Sequence, residues 1–247
     1  MEHNDKISNY WHQKYRKDLG KNWNLFYQRN ATNFFRDRHW VAQEFPELVS
    51  GEEALCVFEV GCGVGNFLFP LLEVSGTRVG KVYGCDISTR AVQLFKENPA
   101  FDADRMTVFV ADILKDRLAD TVIQPVDICT SIFVLSALPP ESLKAAIENV
   151  WEVLKPGGRW FIRDYAAGDA AQQRFDPSRS KLQRNLYVRQ DGTLANYFEK
   201  DELLALLTVG GKFGVVECKE IRSKTTNKKE GLDLDRLFWQ IKLEKLI

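Results

Sequence analysis

Three glycines set directly behind an apolar run constrain this chain more than any other feature in it. Val57-Phe58-Glu59-Val60-Gly61-Cys62-Gly63-Val64-Gly65-Asn66 reads as a buried strand that ends near an acid, turns sharply and enters an apolar helix. Glycine is wanted at such a turn because a side chain would hold the backbone off a ligand, or forbid a positive φ angle. The Gly-x-Gly-x-Gly spacing is one residue short of the dinucleotide pattern and suits a cofactor with no pyrophosphate. Alone, such a loop is weak, because ordinary turns match it too; the residues C-terminal to it decide the reading.

Beyond the turn, the chain alternates strand and helix. Strands are expected at 55–60, 81–86, 106–112, 126–135 and 159–165, with helices from Asn66, from Ser88 as cap, and from Pro139 to Leu154. Two further strands, 213–221 and 236–246, read as an antiparallel pair closing the sheet. The expectation is an α/β, Rossmann-like, mostly parallel and doubly wound sheet of seven strands, with its site at the strands' C-terminal ends. Residues 1–50 read as an N-terminal helical, aromatic and basic lid, with one helix over 9–30, and 51–247 as the cofactor-binding domain. An insertion at about 166–198, after strand five, carries Arg174, Arg179, Lys181, Arg184 and Arg189 and a hairpin turn at Gln190-Asp191-Gly192-Thr193.

Three strand ends converge on the glycine turn. Asp86, 25 residues after Gly61, is placed to accept hydrogen bonds from both hydroxyls of a ribose. Asp112 can accept from an adenine amino group, with Ile113 beside the ring, and Glu59 lies near a charged amino-acid tail. Glycine turn, Asp86 and Asp112 together fit an adenosine that carries an amino acid, which is S-adenosylmethionine. A nicotinamide enzyme fits less well on both the glycine spacing and the second acid.

Composition narrows the partners. Hydrophobic residues make up 45% of the chain, enough for a substantial core, yet no apolar run approaches the roughly 20 residues of a membrane span. With no basic-then-apolar leader at its start, the sequence reads as cytoplasmic, with nuclear presence open. Five cysteines standing singly read as buried reduced thiols. Cys129, inside a strand, reads as core packing rather than a covalent nucleophile, and three histidines without ligand spacing point to no metal site. Charge is uneven: residues 1–40 hold 8 Lys/Arg against 4 Asp/Glu, 41–160 hold 10 against 17, and 161–247 hold 16 against 13. A polyanion would therefore meet the two flanks and avoid the middle, and the flanks interleave arginines with aromatics, as in Phe34-Phe35-Arg36-Asp37-Arg38-His39-Trp40.

These segments resemble the class I S-adenosylmethionine-dependent methyltransferases, and the resemblance narrows further. Asn22-Trp23-Asn24-Leu25-Phe26-Tyr27, Thr32-Asn33-Phe34-Phe35-Arg36-Asp37-Arg38-His39-Trp40, Ile132-Phe133-Val134-Leu135-Ser136-Ala137, Arg163-Asp164-Tyr165, Tyr187-Val188-Arg189-Gln190-Asp191-Gly192-Thr193 and Asn227-Lys228-Lys229-Glu230-Gly231-Leu232 look like the methyltransferase-like family that forms 3-methylcytidine in tRNA. The resemblance implies a target cytidine at position 32 of the anticodon loop. It implies that Trp23 and Tyr27 fold over S-adenosyl-L-methionine with Gly61, Gly63, Asp86, Asp112, Ile113 and Ile132. It also implies that Phe34, Arg38, Asp164 and Arg189 face the flipped base or its backbone. Besides the tRNA anticodon stem-loop, an aminoacyl-tRNA synthetase or another tRNA-selecting protein is a candidate partner. Ala166 departs from the family, which often carries glycine there.

The chemistry asks little of acid–base catalysis. Cytosine N3 is a lone pair with no proton to lose, so methylation needs alignment and a carboxylate that accepts from the exocyclic amine as charge develops. Asp164 is the catalytic candidate; a structural acid paired with Arg163 or Arg38 is the alternative. N3 must also be unstacked, and an aromatic such as Phe34 can stack on the extruded base. Methylation of another RNA base, a small molecule or a protein, and an inactive partner subunit, are the competing functions.

Overall fold

In the computed structural model, which describes residues 9–227 and 232–246, the glycine turn lies at the middle of a seven-stranded sheet. Helices α1 (Asn9–Lys17), α2 (Leu19–Asn30) and α3 (Val41–Glu44) precede it. Then come β1 (Leu55–Val60), α4 (Leu68–Ser75), β2 (Val79–Asp86), α5 (Thr89–Lys96) and β3 (Met106–Val110). The second half holds β4 (Val126–Ile132), α6 (Leu143–Val153) and β5 (Leu154–Tyr165). The insertion contributes α7 (Ala170–Gln173), α8 (Pro177–Ser180), β6 (Lys181–Gln183), β7 (Leu186–Val188) and β8 (Leu194–Asn196). Last are α9 (Lys200–Leu207), β9 (Phe213–Asn227) and β10 (Leu232–Lys245).

The strand order is β3-β2-β1-β4-β5-β10-β9. The first five are parallel, and β10 runs antiparallel to both β5 and β9. The expected closing pair is therefore present, longer than its apolar pattern. Order reverses between β1 and β4, and a crevice at such a reversal is where open α/β sheets bind ligands. Two apolar layers cover the faces. One packs Leu143, Ile147 and Leu203 onto Trp160 and Ile162, and the other packs Phe45, Leu71 and Phe95 onto Val57 and Phe161.

Several boundaries differ from expectation for local reasons. The helix expected over 9–30 breaks at Asp18 (φ −92°, ψ 11°), so that Leu19 can pack among Leu182, Leu186, Val188 and Leu194 of the insertion. The fourth strand stops at Ile132 because Phe133 turns to φ 60°. The third stops at Val110, leaving Asp112 in the following turn, where its Oδ1 accepts from Leu114 N–H at 3.0 Å. Val41, Phe45 and Leu48 are buried against the sheet. Ser88 caps α5 as expected, accepting from Ala91 N–H at 3.1 Å. Ala166 is buried and has no positive φ, so the departure from glycine costs nothing there. Lys228, Lys229, Glu230 and Gly231 of the family-like segment 227–232 lie outside the described residues.

Asp169 fastens the insertion to the sheet. Fully buried, it accepts from Arg236 Nε at 2.9 and 3.1 Å, from Leu237 N–H at 2.7 Å and from Ala171 N–H at 2.7 Å. Removing one partner of a buried pair leaves the other charge unpaired, at a cost of about 3 kcal/mol. Asp169→Ala is therefore expected to lower unfolding free energy by about that amount. Urea titration checks it: a midpoint that does not move would show that Arg236 finds another partner.

Candidate active site

The turn after β1 is built by close approach. Gly61 and Gly63 have φ of 66° and 53°, in the region L side chains avoid. A Cβ on Gly61 would stand 2.5 Å from Val134 Cγ2, and one on Gly63 would stand 2.5 Å from the Tyr27 hydroxyl. Asp86 ties this turn to the end of β2, accepting from Gly63 N–H at 3.0 Å and from Ser88 N–H at 2.8 Å. Burial raises its pKa to about 6, with the two amide bonds pulling the other way.

Above the turn opens a cleft between α2 and the strand ends. Trp23, Tyr27, Arg38, Gly61, Gly63, Asp86, Asp112, Ile113 and Ile132 all line it, along with Glu59, Cys62 and Phe133. Helix α2 lies over the cleft as a lid. Asn24 Oδ1 accepts from Arg90 N–H at 2.9 Å, and Asn22 Nδ2 donates to Gly192 O at 2.8 Å, so one helix spans the start of α5 and the insertion.

The residues fit the cofactor the sequence points to. Glu59 is buried at the floor, and its Oε2 has no hydrogen-bond partner among the described residues. Burial holds its carboxyl well above the usual range, with Arg38 drawing it down and Asp86 pushing it up. A buried acceptor left open suits an ammonium group. Each oxygen of Asp86 uses one lone pair on an amide and keeps another for a hydroxyl. Asp112 is more engaged, since Lys115 Nζ stands 2.7 Å from its Oδ2. Asn149 steadies that turn from α6, donating to Ile113 O at 2.7 Å and Asp116 O at 3.0 Å.

Beside the cleft stands a wall of rings. Phe133 stacks on Tyr165 with centroids 5.1 Å apart and meets Phe238 edge-on at 5.2 Å; Tyr197 lies 5.4 Å from Tyr165. Guanidinium groups cover it: Arg38 at 5.3 Å from Phe133, Arg189 at 5.8 Å and Arg236 at 5.5 Å from Tyr165. Phe133 belongs to both cleft and wall, and a bulky residue at positive φ is strained backbone of the kind that collects at functional sites. The sequence reading does not single out Phe133, Tyr165, Tyr197 or Arg236 for this site.

Three expected site residues stand outside the cleft lining. Phe34 is 59% exposed and packs edge-on against Phe26 at 4.8 Å. Arg189 donates to Leu194 O at 2.7 Å within its own hairpin while covering Tyr165. Asp164 is fully buried, accepting from Ser136 N–H at 3.0 Å and Tyr165 N–H at 2.9 Å, and pairs with neither Arg163 nor Arg38. Its neighbours on β5 explain this. Successive strand residues face opposite ways, so Asp164 shares the Trp160 and Ile162 face while Tyr165 looks toward the wall. Burial raises the Asp164 pKa to about 6, against hydrogen bonds from Ser136 and Tyr165.

Comparison with known proteins bears on the family and the fold. A family model described as a methyltransferase domain matches residues 58–160. The tRNA N(3)-cytidine methyltransferase METTL6 of Mus musculus is 47% identical over 244 residues, covering 97% of this chain and 85% of its own. The tRNA N(3)-methylcytidine methyltransferase trm141 of Schizosaccharomyces pombe is 40% identical over 248 residues, covering 98% of each. Among solved structures, a SAM-dependent methyltransferase from Anabaena variabilis superposes with a TM-score of 0.66 at 12% identity, covering 92% of this chain and 95% of its own. A Burkholderia thailandensis N1-methyltransferase with S-adenosylhomocysteine bound gives 0.62 at 16% identity, covering 95% and 90%. These last two speak to the fold: a class I, Rossmann-like methyltransferase. At the identity and coverage of the first two relatives, the chain belongs to the tRNA N(3)-cytidine methyltransferase family.

Proposed function

We propose that this enzyme methylates N3 of a tRNA cytidine, at position 32 of the anticodon loop, using S-adenosyl-L-methionine. The observation that carries the reading is the sharing of Phe133 between the cofactor cleft and the wall of rings and guanidiniums. A flat, extruded base needs stacking partners and hydrogen-bond donors beside the methyl donor, and this wall supplies both. S-adenosylmethionine supplies an electrophilic methyl group when bound. Asp86 holds the ribose hydroxyls, Ile113 and Asp112 take the adenine side, and Glu59 faces the amino-acid tail. Trp23 and Tyr27, on the lid, exclude water. No general base is required, because cytosine N3 has no proton to lose.

Asp164 serves in this reading as a positioning residue: its carboxylate holds Ser136 and Tyr165, so the strand-four turn keeps Phe133 and Tyr165 face to face. Arg38, Arg189 and Arg236 meet the target nucleotide, Phe34 meets neighbouring RNA at the rim, and a synthetase or other tRNA-selecting protein docks on the basic flanks.

Nucleoside mass spectrometry tests the reaction. The purified protein with S-adenosylmethionine is expected to form 3-methylcytidine in tRNA that carries cytidine at position 32. Product from a tRNA with uridine substituted there would move the site elsewhere, and no product from any tRNA would remove the reading. Asp86→Ala is expected to abolish cofactor binding by calorimetry; wild-type affinity would end the ribose role. Protonated Asp86 loses an acceptor, so affinity is full above about pH 6 and falls as pH drops through that value. Affinity that stays flat down to about pH 5 would exclude an ionised Asp86 from binding. Asp164→Asn replaces an acceptor with a donor against a backbone amide, and is expected to cost about 1–3 kcal/mol of stability. A thermal midpoint unchanged from wild type would contradict the buried geometry.

A further inference from the structure

Alternate residues of β5 face the strap that runs from Arg38 to Leu48. Phe161 stacks on Phe45 with centroids 5.0 Å apart. Arg163 lies against Trp40, its guanidinium 4.1 Å from the ring centroid. Tyr165 ends the row against Phe133. Arg163 is only 5% exposed, in a sheet interior where an uncompensated guanidinium is costly. It reaches Glu44 Oε1 at 3.5 Å, and Gln240 Nε2 holds the other oxygen of Glu44 at 3.1 Å. Its Nε has no partner among the described residues.

The same residue grips the wall through its backbone. Arg163 O accepts from Phe133 N–H at 2.8 Å, the amide of the residue bent to φ 60°. Trp40 and Glu44 lie on the strap whose first residue is Arg38. That residue is fixed at its other end by Arg38 N–H donating to Asn66 O at 2.8 Å and Val41 N–H to Arg38 O at 3.1 Å. A long, incompletely satisfied buried pair is a poor stabiliser, and apolar groups of like volume often replace one without loss. The ion pair therefore does not by itself account for Arg163, whose guanidinium and backbone carbonyl also hold Trp40 and Phe133 in place.

We infer that Arg163, acting through Trp40 and Glu44, is a positioning residue that sets Arg38 over Phe133 on the acceptor side of the cleft. The inference rests on the methylation proposed above. The test uses the full chain, tRNA and S-adenosylhomocysteine, with wild type measured first. Arg163→Met is expected to fold, to bind S-adenosylhomocysteine within about twofold of wild type, and to lose at least about tenfold in kcat/KM for tRNA methylation. Arg163→Lys, which keeps the cation, is expected to recover part of that loss. In an Arg38→Ala background, Arg163→Met is expected to add little, because both act at one point. Full additivity, an equal loss of cofactor affinity, or wild-type turnover in Arg163→Met each overturns the inference and leaves the reaction standing. Absence of product from wild type refutes the reaction and the inference with it. Should Arg163→Met not fold, Glu44→Gln, which removes only the counter-charge, is read by the same criteria.

Discussion

Three carboxyls buried near the C-terminal ends of their strands organise this molecule. Glu59, Asp86 and Asp164 are 3%, 8% and 0% exposed, on β1, β2 and β5, and none has an ion-pair partner among the described residues. Burying a carboxyl without a cation is expensive unless its oxygens are hydrogen-bonded. Asp86 and Asp164 meet that condition with backbone amides, and each thereby fixes a turn: Gly63 to Ser88 in one case, Ser136 to Tyr165 in the other. Glu59 leaves one oxygen open at the cleft floor. The two satisfied acids shape the walls, and the unsatisfied one supplies a reason to bind something positive.

The acceptor side follows from pleat geometry. Phe161, Arg163 and Tyr165 share one face of β5, and their partners on β10 are Lys242, Gln240 and Phe238 in register. The strap crosses this face: Lys242 meets Glu47 at 2.7 Å, Gln240 and Arg163 meet Glu44, and Phe238 closes on Phe133. Arg38 thus reaches Phe133 because a row of buried contacts leaves the chain little freedom before it gets there. The N-terminal segment that supplies lid and strap is part of the catalytic layer by packing, not an appendage to it.

Sequence pattern carried the fold and brought Asp86, Gly61 and Gly63 to one cleft, because both depend on local periods. Asp86 is legible as the acid that ends an apolar run, and the Gly61 and Gly63 positions follow from the turn they must make. Phe133 is not legible: an aromatic residue in the left-handed region leaves no mark in composition or spacing. Tyr165 and Arg236 meet only because β10 pairs with β5 across some 70 residues of chain, Phe238 opposite Tyr165. The face that Asp164 takes was not readable, since Trp160, Phe161 and Ile162 before it are apolar toward both sides of the sheet. A strand-end acid beside an expected methyl invited a catalytic role, and the observed alternation argues against it.

The charge of the wall bears on the chemistry it can support. A cytidine methylated at N3 carries a positive charge, so bare arginines around it would oppose the reaction as that charge develops. Each guanidinium near these rings instead has a carboxylate in its field. Arg163 has Glu44, Arg236 has Asp169, Arg38 feels Glu59 and Asp37, and Arg189 feels the buried Asp164 through the strand. A wall balanced in this way can donate hydrogen bonds to a neutral base without raising the potential at the nitrogen that becomes cationic. The buried acids that fix the turns therefore also lower the electrostatic cost of the product, and they can do so while remaining out of contact with it.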